Sequence, residues 1–148
     1  MGAPRVLGAY APEGWNEAAA GATGLVAEVL AALGYEDVFL APPAAWRCAE
    51  PIVLACGEWR RLARLDDGRE HGERDIEVIV CREDPGDAEA TCRAVERDLR
   101  RDGWTGLGAG WHARVAARDT RAPEPRGRDS SGRWTWAFTL TLTVVRDL

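Results

Sequence analysis

The sequence predicts an α+β domain, a mainly antiparallel sheet with two helices packed on one face and a long C-terminal hairpin. Three observations carry this expectation. From Trp134 to Val144 every even position is aromatic or aliphatic and the odd positions are Thr or Ala, the period of two that marks a half-buried strand. Residues Glu73 to Arg82 alternate in the same way, with Ile76, Val78 and Val80 facing one side and Asp75 and Glu77 the other. Two further stretches, one before and one after that strand, repeat their apolar residues every 3.6 positions, as amphipathic helices do.

In chain order, Met1 to Gly14 mixes Gly, Ala and Pro with no sustained period and reads as an N-terminal arm, leaving residues 15–148 as a single domain. From Trp15 or Asn16, the positions Ala18, Ala22, Leu25, Val26, Val29, Leu30 and Leu33 form a helical stripe that stops at Gly34, where a left-handed residue commonly ends a helix. The small-residue cluster Ala19 to Gly24 lacks the Gly-Lys-Ser/Thr ending and the preceding strand of a phosphate loop. Val38-Phe39-Leu40 is a short strand halted by Pro42-Pro43. Ile52 to Cys56 is another, with Gly57 as a bend and a weaker continuation through Trp59 to Leu65. Asp66 to Gly72 reads as a solvated turn built on Asp-Gly. After the alternating strand, Asp84 caps a helix whose first turn contains Pro85. Ala88, Cys92, Val95 and Leu99 are its buried stripe, and Gly103 ends it. Following a turn over Gly103 to Gly110, Trp111, Ala113, Val115 and Ala117 alternate with polar residues and make a strand whose simplest partner is the last one. Asp119 to Gly132, with Pro123, Pro125 and three Arg, reads as a long loop. The final strand is longer than strands usually are in globular domains, and that excess suggests a partner outside the domain.

Composition narrows the function. At 148 residues the chain can bury a core without staples. A net charge of -5 argues against a general nucleic-acid binder, and Trp15 to Leu33 is too interrupted to span a membrane. From Met1 to Val6, neither secretion nor lipidation is expected. Cys48, Cys56, Cys81 and Cys92 have no CxxC spacing and read as reduced, mostly buried small hydrophobes. No metal, cofactor or small-molecule substrate is expected. His71 near Asp66 and Asp67, and His112 among Arg residues, form no nucleophile, base and orienting set, so no enzymatic activity is expected either.

What remains is assembly. Seven Trp are more than one small core easily covers, and Trp and Arg are the residue types enriched at interface anchors. The only local basic cluster comprises Arg114, Arg118, Arg121, Arg126, Arg128 and Arg133, diluted by Asp119, Glu124 and Asp129. The candidate interface is therefore Arg121, Arg126, Arg128, Asp129, Arg133, Trp134 and Trp136.

Within this order of elements, the ending Asp129-Ser130-Ser131-Gly132-Arg133-Trp134-Thr135-Trp136 resembles the small tail-terminator and minor capsid (head-tail joining) proteins of long-tailed bacteriophages and prophages. There an Asp-x-x-Gly-Arg-aromatic turn commonly leads into the last strand. The resemblance extends as pattern and element order over about Trp15 to Leu148. It implies helices against one face of a mainly antiparallel sheet and a virion structural protein assembled in the bacterial host cytoplasm. It also implies a ring, typically of six copies, that ends the tail tube and joins it to the neck or head. Its implied partners are further copies of itself, the tail tube protein and neck or connector proteins, and no catalytic residue is carried over. By position, residues Asp119 to Gly132 and the hairpin they enter would reach the neighbour. The competing expectation is a small non-catalytic binding or regulatory domain with a ferredoxin-like sheet.

Overall fold

The computed structural model describes residues 17–101, 105–108, 111–115 and 121–146, with the backbone alone at 17–22, 101, 105–108, 111–115 and 146. The expected arm over 1–14, the helix stop at Gly103 and the continuation of the strand beyond Val115 lie outside the described residues.

The elements follow in the order α1 (Glu17–Ala32), β1 (Val38–Phe39), β2 (Ile52–Arg64), β3 (Glu70–Arg82), α2 (Pro85–Arg101), β4 (Thr105–Gly108), β5 (Trp111–Val115), β6 (Arg121–Arg128) and β7 (Trp134–Arg146). The strands form one seven-stranded sheet in the order β1-β2-β3-β7-β5-β4, with β6 also paired to β7. Among the described residues only the two-residue pairing of β1 with β2 is parallel. This is the expected α+β architecture.

Local chemistry explains each boundary. Gly34 ends α1 at φ 94°. Its N–H reaches Ala31 O, and the Tyr35 N–H reaches Leu30 O, the paired bonds of a Schellman cap. Tyr35 then packs against the core and donates its hydroxyl to Asp98 of α2 at 2.6 Å. Burial and that hydrogen bond push the phenol up to about 12, so it stays protonated and holds the two helices together. At the start of α2, Asp84 Oδ2 accepts the Asp87 N–H at 2.9 Å, a cap that stabilises the helix by about 1 kcal/mol.

Both helices lie on the same sheet face. Val26 and Leu30 of α1 and Cys92, Val95 and Leu99 of α2 share one cluster with Ile52, Leu54, Ile76, Val78, Val80, Phe138, Leu140, Leu142 and Val144. The even positions of β3 and β7 face this core, as the alternation predicts. Of the cysteines, Cys81 and Cys92 are buried, Cys48 is half-buried and Cys56 is exposed. Burial raises the thiols of Cys81 and Cys92 to about 11 and about 12, which keeps them unreactive at neutral pH.

The length of the last strand, read from sequence as a sign of a partner outside the domain, is accounted for within the chain. One edge of β7 pairs with β3 in unbroken register from Trp134↔Arg82 to Arg146↔Glu70. Its other edge is shared: β6 pairs with residues from Trp134 to Thr139, and β5 with Leu142 to Arg146. The 13-residue strand is long because two shorter strands lie end to end along it. The segment read as a loop, Asp119 to Gly132, therefore contains a strand over Arg121–Arg128. Its prolines are accommodated by register shifts on either side of Glu124-Pro125, and β6 has no strand beyond it among the described residues, which is where proline is tolerated. The expected turn over Gly103 to Gly110 likewise includes a four-residue strand, β4, paired with β5. The Asp-Gly turn sits where expected but is shorter, with Gly68 at φ 89° and the ladder resuming at Glu70. His71 thus lies in a strand, opposite Ala63.

Candidate assembly surface

The face of the sheet turned away from the helices is polar and internally braced. Arg60 on β2 forms a bidentate pair with Asp75 on β3, at 2.7 and 2.8 Å, and approaches Glu73 at 3.5 Å. Across the next ladder, Thr141 donates to Asp75 Oδ1 at 2.9 Å. On the β6 side, Arg126 bridges Glu77 and Glu124, both at 3.1 Å. Acid and base thus meet across β2, β3 and β6, and Thr141 of β7 joins them through Asp75. The hydrogen bonds from Arg60 hold the Asp75 carboxyl below the usual aspartate range against the opposing effect of burial.

That shift has a sign that can be tested. A depressed folded pKa gives stabilisation that is complete above the ordinary aspartate value, about 3.9, and is lost as pH falls below it toward the folded pKa. Asp75→Asn should therefore be less stable than wild type at pH 7, by about 1–2 kcal/mol for a partly buried charge-assisted pair. The two proteins should converge in urea unfolding as the pH falls below about 4.

The turn leading into β7 is closed by a set of hydrogen bonds. Asp129 accepts the N–H groups of Ser131 and Arg133, each at 2.9 Å, and its second oxygen takes the Arg133 Nε at 2.7 Å. Burial would raise the Asp129 carboxyl, but these bonds outweigh it and hold it low. Gly132 supplies the left-handed backbone, at φ 81°, that closes the turn. The Arg133 guanidinium continues inward, is 6% exposed, and donates to Cys48 O at 3.0 Å and Pro43 O at 3.4 Å. This arginine ties the turn to the loop between β1 and β2.

The residues singled out from sequence therefore separate into groups. Arg121, Arg126 and Arg128 are exposed along β6. Trp134 is half-buried beneath Arg128, whose guanidinium carbon lies 4.5 Å from its ring centre. Trp136 packs against the core and is covered by Arg93 of α2 at 5.5 Å. Asp129 and Arg133 are engaged within the chain. One exposed residue was not anticipated: Trp46, in the loop that Arg133 holds, is 84% exposed. The signal available was an isolated Trp following Pro42-Pro43 and two Ala. Among the described residues no cluster of His, Cys, Asp and Glu could hold a metal ion, and no helix is long and apolar enough to cross a membrane.

Fold and surface together define an α+β sheet domain with one face covered by helices and one charge-braced polar face, carrying exposed Arg and Trp at its margins. The chain is similar in fold to a chain from the solved virion of a native gene transfer agent particle. The two are 20% identical, with a TM-score of 0.57 over 88% of this chain and 99% of that one. No protein family matches the sequence, and no curated protein does.

Proposed function

We propose that this chain is a non-enzymatic virion structural protein of phage type that forms a ring ending the tail tube and joining it to the neck or head. Six copies, as in the terminator proteins that the Asp129–Trp136 turn resembles, are the proposed stoichiometry, with assembly in the bacterial host cytoplasm. The observation that carries this reading is the likeness in fold to a chain of a gene transfer agent virion along nearly all of that chain's length. The Asp129–Trp136 turn agrees with it. So does the outer strand β6, whose Arg121, Arg126 and Arg128 are exposed and whose Arg128 covers Trp134.

Sedimentation velocity and negative-stain microscopy, on the protein alone and with tail tubes encoded in the same gene cluster, test the proposal. Annular oligomers or density added at tube ends are the expected result. A strict monomer that never engages a tube would favour the small binding or regulatory domain instead, as would neighbouring genes for metabolic enzymes. Within the ring, Trp134→Ala should weaken self-association at least tenfold, about 1.4 kcal/mol, and leave the circular dichroism spectrum unchanged. Equal loss of fold and association would assign Trp134 to the core.

A further inference from the structure

The sheet's two margins are stepped, and the steps match. At the height of Ile52, Val80 and Trp136 the strands run β1, β2, β3, β7, β6. At the height of Arg60, Glu73 and Thr143 they run β2, β3, β7, β5, β4. The lower row is thus displaced sideways from the upper, so that β1 overhangs on one margin and β4 on the other. A second copy set alongside with its strands level would bring its β1 beside β6 and its β2 beside β4.

The lower step is open backbone. Among the described residues β4 has no strand beyond it, and β2 has none past the two residues paired with β1. An open strand edge is a template for pairing with another chain. Elsewhere the margins are protected: β1 has two residues, and Pro123 and Pro125 of β6 have no N–H to donate. Thr105–Gly108 contains neither proline nor charge. Across the ladders Thr105 is level with Arg60 and Gly108 with Arg64, and the intervening antiparallel pairings leave β4 running in the same direction as β2. Residues 61–64 are exposed. Among them Leu62 is the extra residue of a bulge, since Arg61 pairs with Gly72 and Ala63 with His71. The bulge limits this edge to a short partner, and β4 has four residues. Leu62, 56% exposed in the single chain, is an apolar side chain that such a partner would cover.

The upper step is matched by charge. Val38 is level with Trp136 and Pro125. Glu36 and Asp37 lie just before Val38 and are exposed, and the Ile52 N–H bond to Asp37 O holds them beside the start of β2. Arg128 lies just beyond Pro125 toward the same end of the sheet and is exposed. Acid on one margin therefore stands level with base on the other, a complementarity that favours a second copy of this chain over an unrelated strand.

We propose that copies join edge to edge into one continuous sheet. β4 of one copy adds in parallel to residues 60–64 of the next, and its Arg128 faces that neighbour's Glu36 and Asp37. The contact is heterologous, the kind that closes into a ring when the rotation between copies allows, and closure leaves no edge open to further pairing. This inference rests on the self-assembling reading above and supplies its contact.

Amide exchange on the wild-type chain, dilute and assembled, tests the lower step. Amides within residues 60–64 and within 105–108 should slow together on assembly, by about tenfold or more. Assembly with neither stretch protected would overturn this contact and leave the ring proposal standing. Protection of 60–64 alone would also overturn it, because β2 would then be pairing with some other strand. Sedimentation velocity tests the upper step with Arg128→Glu and Glu36→Arg. Each alone should associate about tenfold more weakly than wild type, with an unchanged circular dichroism spectrum. Mixed, or combined in one chain, they should recover, because acid again faces base. Arg128→Gln and Glu36→Gln, with weaker loss in the same direction, serve if a reversal does not fold. Failure of the combined variant to recover, or wild-type association by both single variants, would overturn the pairing of these margins. A wild-type chain that never associates, even beside tail tubes, overturns contact and ring together.

Discussion

Gly72→Val should destabilise the fold by about 3 kcal/mol, at the upper end of what overpacking costs. Gly72 is buried on β3 between Arg61 of β2 and Val144 of β7. A Cβ placed there would stand 2.5 Å from the Arg60 carbonyl oxygen and 2.6 Å from the Trp59 ring. The ring could swing away, but the carbonyl belongs to the ladder and cannot move without breaking it. Trp59 packs against the core and carries the Arg74 guanidinium over its ring at 5.3 Å. Displacing it would expose apolar area and loosen the far half of the β2–β3 hairpin. Urea unfolding measures the loss, and faster amide exchange confined to residues 58–64 and 70–74 would localise it. Wild-type stability in Gly72→Val would show that the Trp59 ring does not lie over this position.

Arg133→Met should cost about 3 kcal/mol, the penalty for removing one partner of a buried, hydrogen-bonded charge pair. Methionine retains the apolar stem but none of the donors. Asp129 would keep its backbone bonds to Ser131 and Arg133, so the turn itself should survive. What is lost is the link to Pro43 O and Cys48 O, and with it the fixed position of Trp46. The variant should therefore show increased amide exchange at residues 44–50 in addition to the lower urea midpoint. A stability loss with unchanged protection at 44–50 would mean that the loop is ordered by other contacts.

The candidate interface shows where reading residues along the chain stops being informative. Arg133 was grouped with Arg121, Arg126 and Arg128 because all four are arginines close in sequence. Three are exposed, while the fourth is buried by partners 85 and 90 residues away. Nothing local distinguishes a solvated arginine from one whose acceptors come from another part of the chain. Trp134 and Trp136 were rightly placed on one face of β7. How far each is covered depends on Arg128 and Arg93, which the ladder and the helix bring over them. Trp46 gave almost no signal, because the loop that presents it is ordered by Arg133.

By itself the sequence determined what depends on periodicity and local chemistry. The alternation of β3 and β7, the stripe Ala88-Cys92-Val95-Leu99, the Asp84 cap, the Gly34 stop and the Asp-Gly turn follow from backbone geometry and from the need to bury one face of each element. Only the tertiary structure decided how the long strand is used. Strand pairing is non-local, and Pro123 and Pro125 hid β6 because a proline-containing segment can be a strand only at an edge, a place that exists only once the sheet is assembled. The same holds for the bulge that turns Leu62 outward and the buried bonds that hold Trp46 outward. Each is set by contacts between segments that the sequence does not align.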